Sequence, residues 1–508
     1  MTSFLTKITN LISPPRPVSD KEFLEREIAA WKISPQRIMQ IKGTMYYNGD
    51  HDILRRKRTV IGEKGEREEI TNLPNNKAVY NLYGKLVTQK ANYLLGKPFV
   101  LQGEDGSYIN ALKEVFDRSF MRTLKNAGKA ALNGGIAWLY VYYDQENKLK
   151  FRLFPAYEIL PFWKDNDHTE AEAAVRVYQV EVYEGRSRAL KEKAELYTAE
   201  GVRRFILQNG ALIPDIDADN KVCRFPYAVK DGCGRRNEAY SWKKLPLIPI
   251  KCGESEIPLL KKVKSLQDGL NLMLSDFENN MQEDARNTIL VLKNYDGANL
   301  GEFRKNLAAY GAVKVRCDRD AQGGVETLEV QVNPDNYKAI IGVLKEGIIE
   351  NAMGFSKKES GLGSAGTGFE NPNQLNIKSM YTDIDLDAND METELQAAFR
   401  QLLPFVDTYL YTSGKGSFKN PKADIIFNRD MLINETEAIS NCINSLGLLS
   451  KETAIAQHPW VNDPEAELKR LKIQEGAEKK ETGTNPNAKS AKKQKSGKAQ
   501  VKGDENDT

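Results

Sequence analysis

Apolar residues along this chain recur with two periods, and the alternation between them divides it. Residues 20–42 carry a helical pattern that Ser19 or Asp20 can cap. From Lys77 to Leu95, apolar residues at Val79, Leu82, Tyr83, Leu86, Val87, Ala91, Leu94 and Leu95 trace one helix face. Gly96-Lys97-Pro98 stops that helix. Another is predicted from about Tyr108 to Leu132, ended by Asn133-Gly134-Gly135. The period then shortens. Ala137–Tyr143, Leu149–Phe154, Ala174–Tyr183, Ala194–Tyr197 and Val202–Gln208 are rich in β-branched and aromatic residues, with Asn, Asp and Gly between them. They predict an antiparallel β region with a hairpin around Gln145–Asn147. Leu245-Pro-Leu-Ile-Pro-Ile250 suits an edge strand or a domain exit, because proline cannot donate to a ladder.

After Ile257-Pro258 the helical period returns. Val263, Leu266, Leu270, Met273, Phe277 and Met281 predict one buried seam on a long helix ending near Arg286. A small α/β unit, about 288–332, interrupts it. Its expected strands are Thr288–Leu292, Val313–Arg316 and Val325–Val332, with a short helix at Gly301–Tyr310. Asn333-Pro334 restarts a helix, with Tyr337, Ile341, Leu344 and Ile348 as its seam. Residues 354–374 read as a mobile glycine-rich loop. A third long helix follows, with Ile377, Met380, Ile384, Ala388, Met391, Leu395, Ala398, Leu402, Phe405 and Tyr409 on one face and an expected kink at Pro404. Lys422–Asn428 reads as a strand. Asn434-Glu-Thr-Glu437 has the form of a capping box, and helices are expected to about Glu475. The tail 476–508 holds only one apolar residue larger than Ala, Val501, and reads as disordered. The fold class is α+β.

Composition narrows the chemistry. With 508 residues the chain has material for about three domains. Its 73 Lys and Arg against 70 Asp and Glu leave a net +3, which argues against a protein that coats nucleic acid over its whole surface. His51, His168 and His458 are its only imidazoles, too few and too far apart for a multi-histidine metal centre. Its 5 cysteines form no CxxC, so free thiols and a reducing compartment are expected. The zinc-like grouping Cys223, Cys233 and Cys252 matches no common spacing. The N-terminus lacks a continuous apolar region and a small-residue cleavage site, so a secretory signal is not expected. No apolar stretch approaches the roughly 18 residues of a membrane span.

Two motif-like patterns lose to ordinary explanations. Gly361-Leu-Gly363-Ser-Ala-Gly366 matches GxGxxG, but a dinucleotide site needs a strand before the glycines, and here a helix precedes them. Asp383, Asp385, Asp387 and Glu394 fit a calcium-loop register. Ala388 stands where the sharp turn needs glycine, and the apolar stripe of a helix runs through the segment unbroken. Asp383, Asp387, Asp390 and Glu394 read instead as a solvated acidic face. No catalytic residue, metal site or cofactor site is predicted. Lys338, Lys345, Lys357 and Lys358 sit on a helix and its following loop. If that helix lined a pore, these lysines would face phosphate.

The order of parts is the most specific feature: a β-rich domain, a long helix, a compact insertion, a returning helix, a glycine-rich loop, a very long helix, a strand and a helical end. Several segments resemble the portal proteins of tailed phages, of the type found in long-tailed phages of Gram-positive bacteria. They are YYNGDHDI at 46–53, NNKAVYNLYGKLVTQKANYLLGKP at 75–98, AALNGGIAWLYVYYD at 130–144 and LSKETAIAQHPWVNDP at 449–464. The stretch NPNQLNIK at 371–378 departs from that pattern, which has small residues at the start of the long helix.

The resemblance implies a portal-type subunit with a mixed α/β wing (1–256, with 376–430), antiparallel stem helices (257–287 and 333–353), a clip (288–332), a tunnel loop (354–375) and a crown (431–475). It implies a ring, typically of twelve subunits, at one capsid vertex, assembled in the host cytoplasm. Double-stranded DNA would pass through it without sequence reading. Its partners would be terminase, a head-completion adaptor, and the major capsid and scaffolding proteins, with no membrane and no cofactor. Lys338, Lys345, Lys357, Lys358, Gly361, Gly363 and Gly366 would belong to the channel and tunnel loop. Asn294, Tyr295, Arg304, Lys305, Arg316 and Arg319 would belong to the clip docking surface. The rival classes are a capsid-associated protein that forms no ring and a nucleotide-dependent DNA-processing enzyme.

Overall fold

The computed structural model describes residues 19–61, 66–69, 73–144, 146–184, 187–215, 242–284, 288–293, 324–329, 334–355, 379, 381–418, 421–429, 435–461 and 464–482. The chain divides into two compact units, Met1–Ala365 with Tyr381–Met431, and Gly366–Met380 with Leu432–Thr508.

In the first unit the expected helix at 20–42 is two helices, α1 (Asp20–Lys32) and α2 (Pro35–Tyr47). Ser19 and Glu22 form a reciprocal capping box on α1, while Ser34 caps α2 with Pro35 at its first position. The helix expected from Lys77 begins five residues later, as α3 (Leu82–Leu95), capped by Asn81. The helix expected at 108–132 is also two, α4 (Gly106–Val115) and α5 (Arg118–Gly134). Asp105 and Asp117 accept the free amides at their starts, and Asp117 sets the break.

The β region holds two antiparallel sheets. Strands β6 (Ile159–Trp163), β7 (Ala171–Glu184), β8 (Ser187–Thr198), β9 (Gly201–Gln208) and β10 (Ala211–Pro214) form a meander in the order β10-β9-β8-β7-β6. Strands β4 (Ile136–Tyr143), β5 (Leu149–Pro155) and β11 (Leu247–Lys251) form the second, in the order β11-β4-β5. β6 and β10 were not expected; both are short and carry proline. The β4–β5 hairpin turns at Asn147, whose φ of 60° is the left-handed conformation asparagine tolerates. Pro249 lies on the edge strand β11, as expected. On β7, Ala173, Val175 and Val177 alternate onto the face that receives Leu24 and Ile28 of α1. Short pairs β1 (Thr59–Ile61) with β2 (Arg67–Glu69), and β3 (Val100–Gln102) with β14 (Asp424–Ile426), complete the sheets of this unit outside the insertion.

Three long helices follow. They are α6 (Leu259–Asp284), α7 (Pro334–Asn351) and α8 (Thr382–Thr412). Between α6 and α7, strands β12 (Thr288–Lys293) and β13 (Gly324–Glu329) pair antiparallel, where two of the three expected insertion strands stand. The third, Val313–Arg316, and the helix at Gly301–Tyr310 lie outside the described residues. α8 runs continuously with Pro404 inside it, and Ile384, Ala388, Met391, Leu395, Ala398, Leu402 and Phe405 of its expected seam are buried. The junction at 371–378 lies outside the described residues. In the second unit α9 (Glu435–Asn444), α10 (Lys451–Ala456) and α11 (Pro464–Thr482) are helical. α11 continues seven residues past the predicted end at Glu475, because AEKKE is made of good helix formers. No helix among the described residues is long and apolar enough to cross a membrane.

Candidate functional site

The helices that flank the insertion, α6 and α7, run antiparallel. The Phe277 and Tyr337 rings lie 5.1 Å apart, and Asn280 Nδ2 donates to the Tyr337 hydroxyl at 2.8 Å. Further along, a methyl group at Gly269 would sit 3.7 Å from Leu344, and one at Gly347 would sit 3.4 Å from Leu266. Positions rise on one helix as they fall on the other. The small residues let the two backbones approach.

The predicted seam of α6 is only half of its buried surface. Val263 and Leu270 are fully buried, but Met281 is 50% exposed. The deepest positions include Gln267, Asn271, Ser275 and Asn279, spaced four apart and at most 2% exposed. They face the extended segment that precedes α3. Asn76 N–H donates to Asn279 Oδ1 at 2.7 Å, Ala78 N–H to Ser275 Oγ at 2.9 Å, and Tyr80 N–H to Asn271 Oδ1 at 3.0 Å. Tyr83 N–H then donates to Gln267 Oε1 at 3.0 Å. Two residues of extended chain advance about 6.6 Å, and four residues of helix advance about 6.0 Å. Alternate amides of the strap therefore stay in register with every fourth side chain of the helix. Side chains of α6 do here what a neighbouring strand does in a sheet.

His51 closes this ladder. Its Nε2 lies 3.0 Å from the Tyr46 carbonyl oxygen, which can only accept, so Nε2 carries the proton. Nδ1 then accepts from Asn271 Nδ2 at 2.8 Å. Gln267 Nε2 donates to the Tyr80 carbonyl at 2.7 Å and to Asn271 Oδ1 at 3.1 Å. Every bond has a matched donor and acceptor with a neutral imidazole, and burial holds the His51 pKa below its ordinary value. Nearby ion pairs add to the clamp: Arg56 with Asp276 at 2.8 Å and Lys264 with Asp52 at 2.8 Å.

Of the channel lysines expected on α7, Lys338 is exposed and lies 3.4 Å from Asp335. Lys345 sits two turns further along with its ammonium 4.2 Å from the centre of the Tyr80 ring, a cation–π contact with the strap. Lys357, Lys358, Gly361, Gly363 and Gly366 lie outside the described residues. So do Asn294, Tyr295, Arg304, Lys305, Arg316 and Arg319. The acidic residues in the calcium-loop register are carried by the continuous helix α8, so no loop geometry exists there. Asp387 is 2.7 Å from the buried Lys90 ammonium, and Arg429 holds Asp385 at 3.3 Å. Of the other imidazoles, His168 stacks on Trp163 at 4.6 Å and meets Glu256 at 3.0 Å. Burial pushes the Cys252 thiol up to about 12, so it stays protonated and inert. Cys223 and Cys233 lie outside the described residues.

An antiparallel helix pair that flanks residues 285–333 is thus clamped by a polar ladder to a mixed α/β body. The chain belongs to a phage portal protein family of the SPP1 Gp6-like type, whose family model matches residues 29–481. It is 29% identical over 435 residues to the portal protein of Bacillus phage SPP1, covering 85% of this chain and 82% of that one. It is 25% identical over 455 residues to the portal protein of Clostridium phage phiCD119, covering 87% of this chain and 92% of the relative. A solved structure of the virion of a native gene transfer agent particle aligns over 73% of this chain and 86% of its own, at 11% identity. Its TM-score of 0.35 is too low to carry an argument.

Proposed function

We propose that the chain assembles as a ring at one capsid vertex and forms the conduit through which double-stranded DNA is packaged and ejected. The observation that carries this reading is the family match, which spans the stem pair, the insertion and the long helix together. The antiparallel stem of α6 and α7 supports it. α6 is 26 residues long, about 39 Å of rod, enough to form a stave of a channel wall. The ladder between α6 and the strap would hold that stave against the body of its own subunit. Terminase would dock on the insertion, whose candidates are Asn294, Tyr295, Arg304, Lys305, Arg316 and Arg319, and a head-completion protein would follow it there.

In this reading the chain is a structural component of the virion, and ATP chemistry belongs to the docked motor. Lys357 and Lys358 would touch the DNA backbone without reading bases. Tail residues 476–508 carry 8 Lys and 5 acids, so the remaining 65 basic and 65 acidic residues balance. That balance suits a conduit, because a wall that gripped phosphate strongly would stall the passing DNA. The test is DNase-protected DNA in capsids carrying Lys357→Glu with Lys358→Glu. Rings form normally and packaged DNA falls. Unchanged packaging rejects the tunnel-loop assignment, and ATP turnover by the purified chain alone rejects the non-enzymatic reading.

A further inference from the structure

Two charged helix faces are left largely unpaired among the described residues of one subunit, and they match each other. On α5, Arg118, Arg122, Lys125 and Lys129 step by 4, 3 and 4, and the helix contains no acid. At about 100° per residue they share one face, opposite the buried Phe120, Leu124, Ala127 and Ala131. Lys129 rests over the Tyr47 ring at 6.0 Å. Among the described residues, no carboxylate comes within the 4.0 Å of an ion pair with Arg118, Arg122 or Lys125. On α8, Asp383, Asp387, Asp390 and Glu394 also step by 4, 3 and 4, and the first basic residue of that helix is Arg400. Asp387 is already held by Lys90. Asp383, Asp390 and Glu394 have no ion pair among the described residues. Asp390 and Glu394 edge a recess of about 550 Å³ that also holds Asp167 and Glu254; Lys251 and His168, its basic lining groups, are both bound to Glu256.

The two faces cannot meet within one chain. Phe120 and Leu124 of α5 and Leu395 and Phe399 of α8 line one small internal cavity, so the helices approach through their apolar sides and their charged stripes look away. We propose that the basic face of α5 docks on the acidic face of α8 from a second copy of this chain, forming a contact between neighbouring subunits of the ring. This rests on the ring reading above. Each stripe spans about 16 Å of helix, and the 4-3-4 spacing reads the same in both directions, so charges align whether the helices cross parallel or antiparallel. Different patches on the two sides make the contact heterologous, the kind that generates rings when its rotation closes. A contact built from partly exposed charges is screened by salt over about 10 Å at 0.1 M.

The test uses the full chain and mass photometry at low and high salt. One variant carries Arg118→Glu, Arg122→Glu and Lys125→Glu. A second carries Asp383→Lys, Asp390→Lys and Glu394→Lys. A third carries all six. Each reversed stripe opposes like charges and is expected to weaken association by about 100-fold or more. The six-fold variant restores rings, a rescue that a misfolded protein cannot show. Two results overturn the proposal while the ring reading stands. One is rings formed by both three-fold variants as readily as by the parent. The other is a basic-stripe variant that loses only DNA retention on a filter, which would make α5 a nucleic-acid face. A parent chain that stays monomeric overturns both readings.

Discussion

Replacing Asn271 by leucine removes the centre of the strap ladder while keeping volume and excluding water. Two groups lose their partners: the part-buried Tyr80 N–H, now bonded to Asn271 Oδ1 at 3.0 Å, and the buried His51 Nδ1, now bonded to Asn271 Nδ2 at 2.8 Å. The Tyr80 carbonyl keeps its bond from Gln267. Each stranded group costs about 1–3 kcal/mol, and the added apolar burial of leucine returns part of that, leaving about 3 kcal/mol. For a unit of this size, at about 2.1 cal/mol/K per residue, the melting temperature drops by only about 3 °C. The local signal is larger. Amide exchange at Ala78, Tyr80 and Tyr83 accelerates by about 100-fold, since 1.4 kcal/mol is tenfold in an equilibrium constant. Ser275→Ala, which strands only the Ala78 N–H, gives about tenfold or less at that amide. If Asn271→Leu leaves exchange at all three amides unchanged, the ladder is not what holds the strap.

Other outcomes follow from the same geometry. Burial lowers the His51 pKa, so the unfolded chain binds more protons below about 6.5 and stability falls as pH drops through that value. His51→Gln flattens this slope in chemical melts between pH 7 and 5. A methyl group on Gly43 would lie 2.0 Å from the Asn133 carbonyl oxygen, so Gly43→Ala drives α2 from α5 and costs about 1–3 kcal/mol in a denaturant titration. Lys90 is 3% exposed on its side chain and paired with Asp387 at 2.7 Å. Asp387→Ala therefore leaves a buried cation and costs about 3–5 kcal/mol, while Lys90→Met is better tolerated in the same melts.

The long elements were readable because their burial is apolar and periodic. From Ile384 to Phe405 the seam of α8 matches expectation residue for residue. The fold near the stem was not readable that way. Lys77–Asn81 has helical spacing, yet those residues stay extended because α6 captures the amides of Ala78 and Tyr80. Tertiary contacts outweigh a propensity worth less than about 1 kcal/mol per residue. The ladder itself is not legible as an apolar stripe, because its residues are Gln, Asn and Ser. Its signal was present as Gln267, Asn271, Ser275 and Asn279, four polar residues at a strict four-residue step on a helix with another face already polar. In the sequence His51 stands as an isolated imidazole, since its partner Asn271 lies 220 residues away. Breaks at Ser34-Pro35 and at Asp117 follow ordinary capping chemistry that longer apolar runs had masked.

Electron microscopy of the purified protein decides whether the chain closes into a ring with a passage for DNA, as proposed. Closed rings are expected, with a central hole wide enough for a double helix, about 20 Å or more, and the stem pair standing along the passage. A persistent monomer, or an open filament with no passage, would contradict the proposal.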